Sequence, residues 1–345
     1  MAGFRSAWRR RWNRRVDRVL APGSDKTEDA MENGAEPYDL ARARVCVIVN
    51  MGSGRQAGES IAERLREALD GRVAQLEFRR IKKGNDLLAI ARDAVADGFD
   101  LIVAAGGDGT QAAVASAVAG SGAVMVTVPG GTFNYFARDI GVGETVDEAL
   151  TIFEAPELRR IHVGEMNGLI FLNNVSFGAY PEILKRRESI YRRWGRSRVA
   201  AYWSAVVALW NLRRPLLLTV RTGGTERKFT TALAFVAKSA YQLETFGLEG
   251  ADAIREGRVA LLVARARRPG PLVRAALRLA FGKSARYEDF DMIAADEIEL
   301  ETFPRHEYVA HDGEKLWMDS PFQVRVRKND LAVLVHADAG GRGKG

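Results

Sequence analysis

Two folded units of different class are predicted: an α/β unit built on a mainly parallel sheet, followed by an antiparallel β-sandwich. Three observations predict this division. From Arg44 onward, short apolar runs alternate with helical patterns, the signature of a parallel sheet with helices on both faces. Glycine-bearing loops close three of those runs, and in such folds they gather on one sheet edge where ligands bind. After residue 160 the chain changes to short alternating or apolar pieces separated by glycines and charges, as an antiparallel sheet requires. At 345 residues the chain also exceeds one comfortable core, which makes two domains the default.

Phe4 to Leu20 carries seven arginines against Asp17, with Phe4, Trp8, Trp12 and Val16 at helical spacing. That pattern suits a short interfacial helix over lipid headgroups, or a disordered basic arm. Residues 21–40 are rich in Gly, Pro, Asp and Glu and read as a linker. VCVIVN is then a strand, MGSGRQAG a loop and Glu59 to Leu69 an amphipathic helix. A strand over 73–80 follows, with a helix over Leu87 to Ala96. The apolar run from Phe99 enters the loop GGDGT, and a small helix spans Gln111 to Val118. AVMVTVPGGT, at 123–132, supplies another strand and loop. In the second half the strand candidates are IHVGEMNG, FLNNVSFG, PLLLTVRTGG, KFTTALAFVAK, GRVALLVARAR, EIELETF and PFQVRVRK. Between the early ones, residues 185–214 run from a basic stretch into an aromatic, apolar one. Its Arg192, Arg193, Trp194, Tyr202 and Trp203 suit a membrane interface or the lip of an apolar cleft; a core-packed helix with solvated arginines is the alternative. A second basic region runs from Arg265 to Arg286, and the tail from Asp338 reads as disordered.

The expected domains are therefore an arm and linker over 1–40, an α/β domain over 41–160, a sandwich over 161–324 and a tail over 338–345. A formal charge of +7 suggests an anionic partner: a nucleotide, a membrane surface or, less favoured, nucleic acid. Cys46, the only cysteine, lies inside an apolar strand and reads as buried, which fits a reducing compartment. No signal peptide is visible. Val199 to Trp210 is too short to cross a bilayer, so the expectation is a soluble or peripheral protein.

The chemistry concentrates at Gly106, Gly107, Asp108, Gly109 and Thr110. Glycines let the backbone approach a ligand and adopt conformations closed to other residues. A loop at a strand's carboxyl end can aim N–H groups at a phosphate, aided by the next helix's dipole. A carboxylate there calls for a cation or for chemistry, so the loop reads as phosphate plus divalent metal. A weaker rival is a dinucleotide site at Gly52, Gly54 and Gly58 with Glu77 or Arg79 and Arg80; a P-loop of the usual spacing is absent.

Four segments in order, GGDGT at 106–110, PGGTFNYFARDIG at 129–141, FLNNVSFG at 171–178 and AHDGEKL at 310–316, carry a family resemblance. The chain resembles the bacterial diacylglycerol kinase and lipid kinase family, whose catalytic domain is shared with sphingosine and ceramide kinases. The resemblance runs from about Arg44 to Ala337. It implies an N-terminal α/β domain like those of NAD kinases and 6-phosphofructokinases, a C-terminal antiparallel sandwich, and a last segment near 325–337 returning to the first domain. It further implies transfer of a phosphoryl group from ATP, with Mg2+, to a lipid hydroxyl, by a cytoplasmic protein resting on the inner face of the membrane. A homodimer stays open and nucleic acid is disfavoured. By this resemblance Asn50, Ser53, Gly54 and Arg55, the GGDGT residues, and Gly130, Gly131, Thr132 and Asn134 hold the nucleotide. Asp108 steers metal and phosphate, and Asp312 acts as general base with Glu314 in support. The residue reading alone makes Asp312–Gly313 a hairpin turn. Tyr135 departs from the family, many members having aspartate there and others histidine. An NAD kinase-like enzyme and a non-catalytic nucleotide- or membrane-binding protein are the competing readings.

Overall fold

The computed structural model describes residues 36–50, 55–81, 86–178, 215–265 and 289–340. The N-terminal arm, Ser53, Gly54, the segment holding Arg192, Arg193, Trp194, Tyr202 and Trp203, and most of the second basic region lie outside these residues.

The first unit comprises β1 (Glu36–Pro37), β2 (Arg44–Asn50), α1 (Arg55–Leu69), β3 (Gln75–Ile81), α2 (Leu87–Ala96), β4 (Leu101–Gly106), α3 (Asp108–Val118), β5 (Val124–Pro129), α4 (Tyr135–Asp139) and α5 (Val146–Leu150). Strands β3, β2, β4 and β5 lie side by side in that order, all parallel. The chain leaves β2 for one neighbour and returns to the other, so the switch point, where open α/β sheets bind ligands, falls between β2 and β4. Val45 to Val49 are completely buried, as a parallel strand covered on both faces must be. Burial pushes the Cys46 thiol up to about 12, which makes it an inert core residue.

The remaining elements are β6 (Pro156–Met166), β7 (Leu169–Phe171), β8 (Asn174–Gly178), β9 (Leu216–Thr222), β10 (Thr225–Thr231), β11 (Leu233–Ala237), α6 (Ala240–Phe246), α7 (Ala251–Arg255), β12 (Val259–Ala264), β13 (Phe290–Ala295), β14 (Glu297–Phe303), β15 (His306–His311), β16 (Glu314–Asp319) and β17 (Phe322–His336). One antiparallel sheet runs β13-β12-β11-β8-β15-β16. It faces the antiparallel part of the other sheet, formed by β10, β9, β14, β17, β6 and β7. Phe171, Val175 and Phe177 meet Leu218, Val220, Ile298, Leu300 and Phe322 in the core between the sheets, with Phe177 and Phe322 5.1 Å apart. The predicted sandwich is present. Helices α6 and α7 cover part of its outer face through Ala240, Leu243 and Ile254.

The long strand β17 joins the two units. Its first half pairs antiparallel with β14, a shift between Arg327 and Leu331 interrupts its pairing with β6, and Val333 then pairs parallel with Met125 of β5. One eleven-stranded sheet therefore passes through both units, and the expected divisions at 160 and 324 fall inside β6 and β17. The last segment does return to the first unit.

Several local expectations change: the helix expected from Glu59 starts at Arg55, inside the expected loop, and KFTTALAFVAK is divided between β10 and β11. Helix α3 starts at Asp108, three residues before Gln111, because Gly107 serves as its N-cap and an acid in the first turn suits the helix dipole. FLNNVSFG is two strands, because Leu172 and Asn173 turn their N–H groups to a side chain instead of a ladder. Ala337–Gly340 form a short 3-10 helix, so order extends past Asp338.

Candidate active site

Strand β4 is fully buried and ends at Gly106, delivering Gly107 to the start of α3. Its N-cap, Gly107, has no side chain to accept from the first turn, and Thr110 N donates to Gly107 O, so among the described residues the N–H groups of Asp108 and Gly109 are the ones open to an anion. The loop after β5 lies directly against it. Gly130 N donates to Gly106 O at 2.8 Å. A Cβ on Gly131 would stand 2.7 Å from the Gly107 Cα, and one on Gly130 3.2 Å from the Gly106 Cα. Gly106, Gly107, Gly109, Gly130 and Gly131 all lie outside the left-handed region. The expectation of unusual backbone conformations is therefore corrected: these glycines serve close approach, chiefly of one loop to the other. Gly109 is different, since among the described residues a Cβ there would meet nothing nearer than Glu314 Oε1 at 3.7 Å.

Asn50, at the end of β2, donates from Nδ2 to Thr110 Oγ1 at 2.9 Å. Thr110 is buried against Gly106, so its hydroxyl braces the loop. Asn134 takes a left-handed conformation, accepts from Gly131 N at 2.9 Å and shapes the second loop, while Thr132 stays exposed. Arg55 opens α1.

Asp108 turns its carboxylate across to α4. It accepts from Asn134 N at 3.0 Å and Phe136 N at 3.4 Å, supplying the cap that Asn134 does not. Burial raises its pKa against these backbone bonds, and the charge of Asp312 raises it further. The two carboxylates thus sense each other across the junction of the units.

Asp312 and Gly313 form the two-residue turn of the β15–β16 hairpin, both with positive φ, as an Asp-Gly turn of this type requires. The turn also orders the chain elsewhere. Asp312 Oδ2 accepts from Leu172 N at 2.7 Å, and Oδ1 from Asn173 N at 2.8 Å and Asn174 N at 3.0 Å. Asp312 is 8% exposed, and burial raises its pKa while the His311 charge and the three N–H bonds oppose the rise. Glu314 is exposed beside Gly109 at the uncapped end of α3. The structure thus brings together Asn50, residues 106–110, residues 130–134, Asp312 and Glu314.

Among the described residues no group of three or more His, Cys, Asp or Glu side chains could hold a metal ion. Mg2+ does not need one, since it usually takes one or two carboxylates and completes its shell with phosphate oxygens and water. Glu314, exposed at the open end of α3, fits that requirement, with Asp108 behind it.

Several residues take roles that the sequence did not assign them. Tyr135 stacks on Phe133 at 5.3 Å and packs against Tyr241 and Phe246 of α6 at 6.5 and 6.2 Å, so it joins the units. Tyr241 N donates to Asp139 Oδ1 at 2.7 Å, and burial pushes Asp139 up to about 6. Lys238 is buried nearby, its pKa lowered by burial and supported by the Asp139 charge. The His311 ring meets Phe171 edge-on at 6.1 Å, and its Nε2 has no hydrogen-bond partner among the described residues.

Residues 44–166, which build the parallel sheet and both glycine loops, match the model of the diacylglycerol kinase catalytic domain. The chain is 36% identical over 130 residues to a protein of Pseudomonas fluorescens named "Probable lipid kinase YegS-like", an alignment covering 36% of this chain and 42% of that one. It is 29% identical over 147 residues to the diacylglycerol kinase of Bacillus subtilis, covering 42% of this chain and 48% of the relative. The chain thus spans less than half the length of these curated relatives. Of the relatives named here, none is a sphingosine or ceramide kinase. In fold, the crystal structure of a diacylglycerol kinase from Bacillus anthracis matches with a TM-score of 0.63 at 20% identity, over 86% of this chain and 98% of that one. The likeness in fold extends past residues 44–166 into the sandwich. Among the described residues no helix is long and apolar enough to cross a membrane.

Proposed function

We propose that this protein is an ATP-dependent lipid kinase that transfers the γ-phosphoryl group to the hydroxyl of diacylglycerol or a related lipid, at the cytoplasmic face of a membrane. The observation that supports it most is the meeting of the uncapped α3 N-terminus with the Asp312–Glu314 hairpin turn from the other unit. Phosphoryl transfer needs bound phosphates on one side, and an oriented hydroxyl with a proton acceptor on the other.

In this reading the N–H groups opening α3 hold the phosphates, and Gly109 leaves them room. The loop over 129–134 forms the facing wall. Asn50 and Thr110 tie β2 to α3 and fix the distance between them. Each Asp312 oxygen has two lone pairs, and Oδ2 gives only one to Leu172 N–H. The other takes the proton of the lipid hydroxyl as its oxygen bonds the γ-phosphorus and the bond to the β-phosphate oxygen breaks, releasing ADP. Burial raises the Asp312 pKa and makes the carboxylate the stronger base once ionised. Mg2+ bound at Glu314, with Asp108 behind it, would neutralise phosphate charge. Asp108 itself acts mainly on α4, setting the position of the second glycine loop. Tyr135 takes no metal in this reading; the acid many family members carry at its position is replaced here by packing between the units.

Purified protein incubated with labelled ATP, Mg2+ and mixed micelles of diacylglycerol, long-chain bases or ceramides tests the proposal. Labelled lipid is expected with diacylglycerol. No labelled lipid with any acceptor refutes it.

A further inference from the structure

The β15–β16 hairpin that carries Asp312 and Glu314 at its turn bears an exposed aromatic pair further along. Tyr308 and Trp317 are direct cross-strand partners, their rings edge to face with centroids 4.5 Å apart. Trp317 is 60% exposed and Tyr308 47%. Lys315 places Nζ 3.4 Å from the Tyr308 ring centroid. Side chains alternate along a strand. Val309 and Met318 point into the sandwich core, so Tyr308, Lys315 and Trp317 share the outer face. That face belongs to the last two strands of the six-stranded sheet, beyond β8 and on the side away from β12.

We propose that this outer face is the surface through which the protein rests on a lipid bilayer, with Trp317 and Tyr308 in the headgroup layer and Lys315 at the lipid phosphates. Trp and Tyr offer an apolar body and a polar tip, and Lys an apolar stem and a charged end, which is the chemistry of the membrane interface. The position fits as well. Trp317 stands three residues along β16 from Glu314, about 10 Å. An acceptor lipid keeps its tails in the bilayer while its hydroxyl, at headgroup depth, reaches Asp312, so the contact surface has to lie about that far from the turn. Lys315 on this face favours an anionic bilayer as occupant, the neighbouring Asp319 being paired with His306. This inference rests on the lipid-kinase reading and adds the surface that presents the substrate.

The test uses the full chain, with flotation on phosphatidylcholine vesicles containing phosphatidylglycerol and fluorescence quenching by brominated lipid. W317A is expected to lower vesicle binding roughly tenfold. W317F, which keeps the ring, is expected to retain most binding while losing a share of the quenching. KM for long-chain diacylglycerol in vesicles is expected to rise in W317A, and turnover of a short-chain, water-soluble diacylglycerol to stay at the wild-type value. Binding and quenching unchanged in W317A overturn the proposal. A wild-type dimer in sedimentation velocity that W317A dissociates also overturns it, since the face then meets a second copy. If wild type phosphorylates neither diacylglycerol, the kinase reading fails, and the vesicle data alone decide the surface.

Discussion

Replacing Asp312 with asparagine separates the two tasks its carboxylate performs. In the wild type Oδ1 serves two backbone N–H groups and Oδ2 one, all within 3.0 Å, on a residue only 8% exposed. The amide keeps one oxygen for Asn173 and Asn174 but turns an NH2 toward the Leu172 N–H. One buried donor is left unpaired, at a cost of about 1–3 kcal/mol. Asp312→Ala removes both acceptor oxygens, leaves three buried N–H donors unpaired and costs about 3 kcal/mol or more on the same scale. Catalysis is expected to respond differently. Both variants lack the proton acceptor, so both lose a factor of about 10²–10⁴ in kcat, although their stabilities differ. Urea unfolding followed by circular dichroism gives the first quantity, and single-turnover phosphorylation of diacylglycerol in micelles the second. Wild-type kcat in D312N would refute the general-base assignment. Unfolding free energy unchanged in D312A would refute the anchoring of residues 172–174.

Further outcomes follow from the glycines, Glu314 and Glu307. Gly131→Ala forces a Cβ to within 2.7 Å of the Gly107 Cα and is expected to cost about 1–3 kcal/mol by denaturation. Gly109→Ala has ordinary clearance in the protein and is expected to leave stability unchanged while weakening ATP binding by calorimetry; equal ATP affinity would place the phosphates elsewhere. Glu314→Gln is expected to raise the Mg2+ concentration needed for half-maximal activity, with stability within about 0.5 kcal/mol of wild type because the residue is exposed. Burial pushes Glu307 up to about 7, with Thr302 and the Gly178 N–H holding it down. The folded state then binds a proton the unfolded state releases at 4.5, so wild-type stability falls as pH rises from about 4.5 through about 7. Glu307→Gln is expected to remove that fall, equalling wild type near pH 4 and exceeding it at pH 8 by up to about 3 kcal/mol; identical pH profiles would refute the burial argument.

The amino-acid order by itself determined the alternation of strand and helix from Arg44, the antiparallel second half, the two glycine loops and the Asp312–Gly313 turn. Each is a local pattern. A parallel strand buried on both faces is written as an unbroken apolar run, and loops that touch backbone to backbone must be written with glycine. Only the tertiary structure decided what the carboxylates of Asp108 and Asp312 do, because their partners lie 26 or more and 138 or more residues away and backbone N–H groups carry no residue signature. The same holds for Tyr135, whose ring finds Tyr241 and Phe246 across the junction, and for Lys238, a surface residue by composition that the fold buries. The passage of one sheet through both units rests on a single strand, β17, whose polar interruption at Lys328, Asn329 and Asp330 marks a shift in pairing and not an end. Periodicity along a chain records which face of an element is buried; it does not record which distant element buries it.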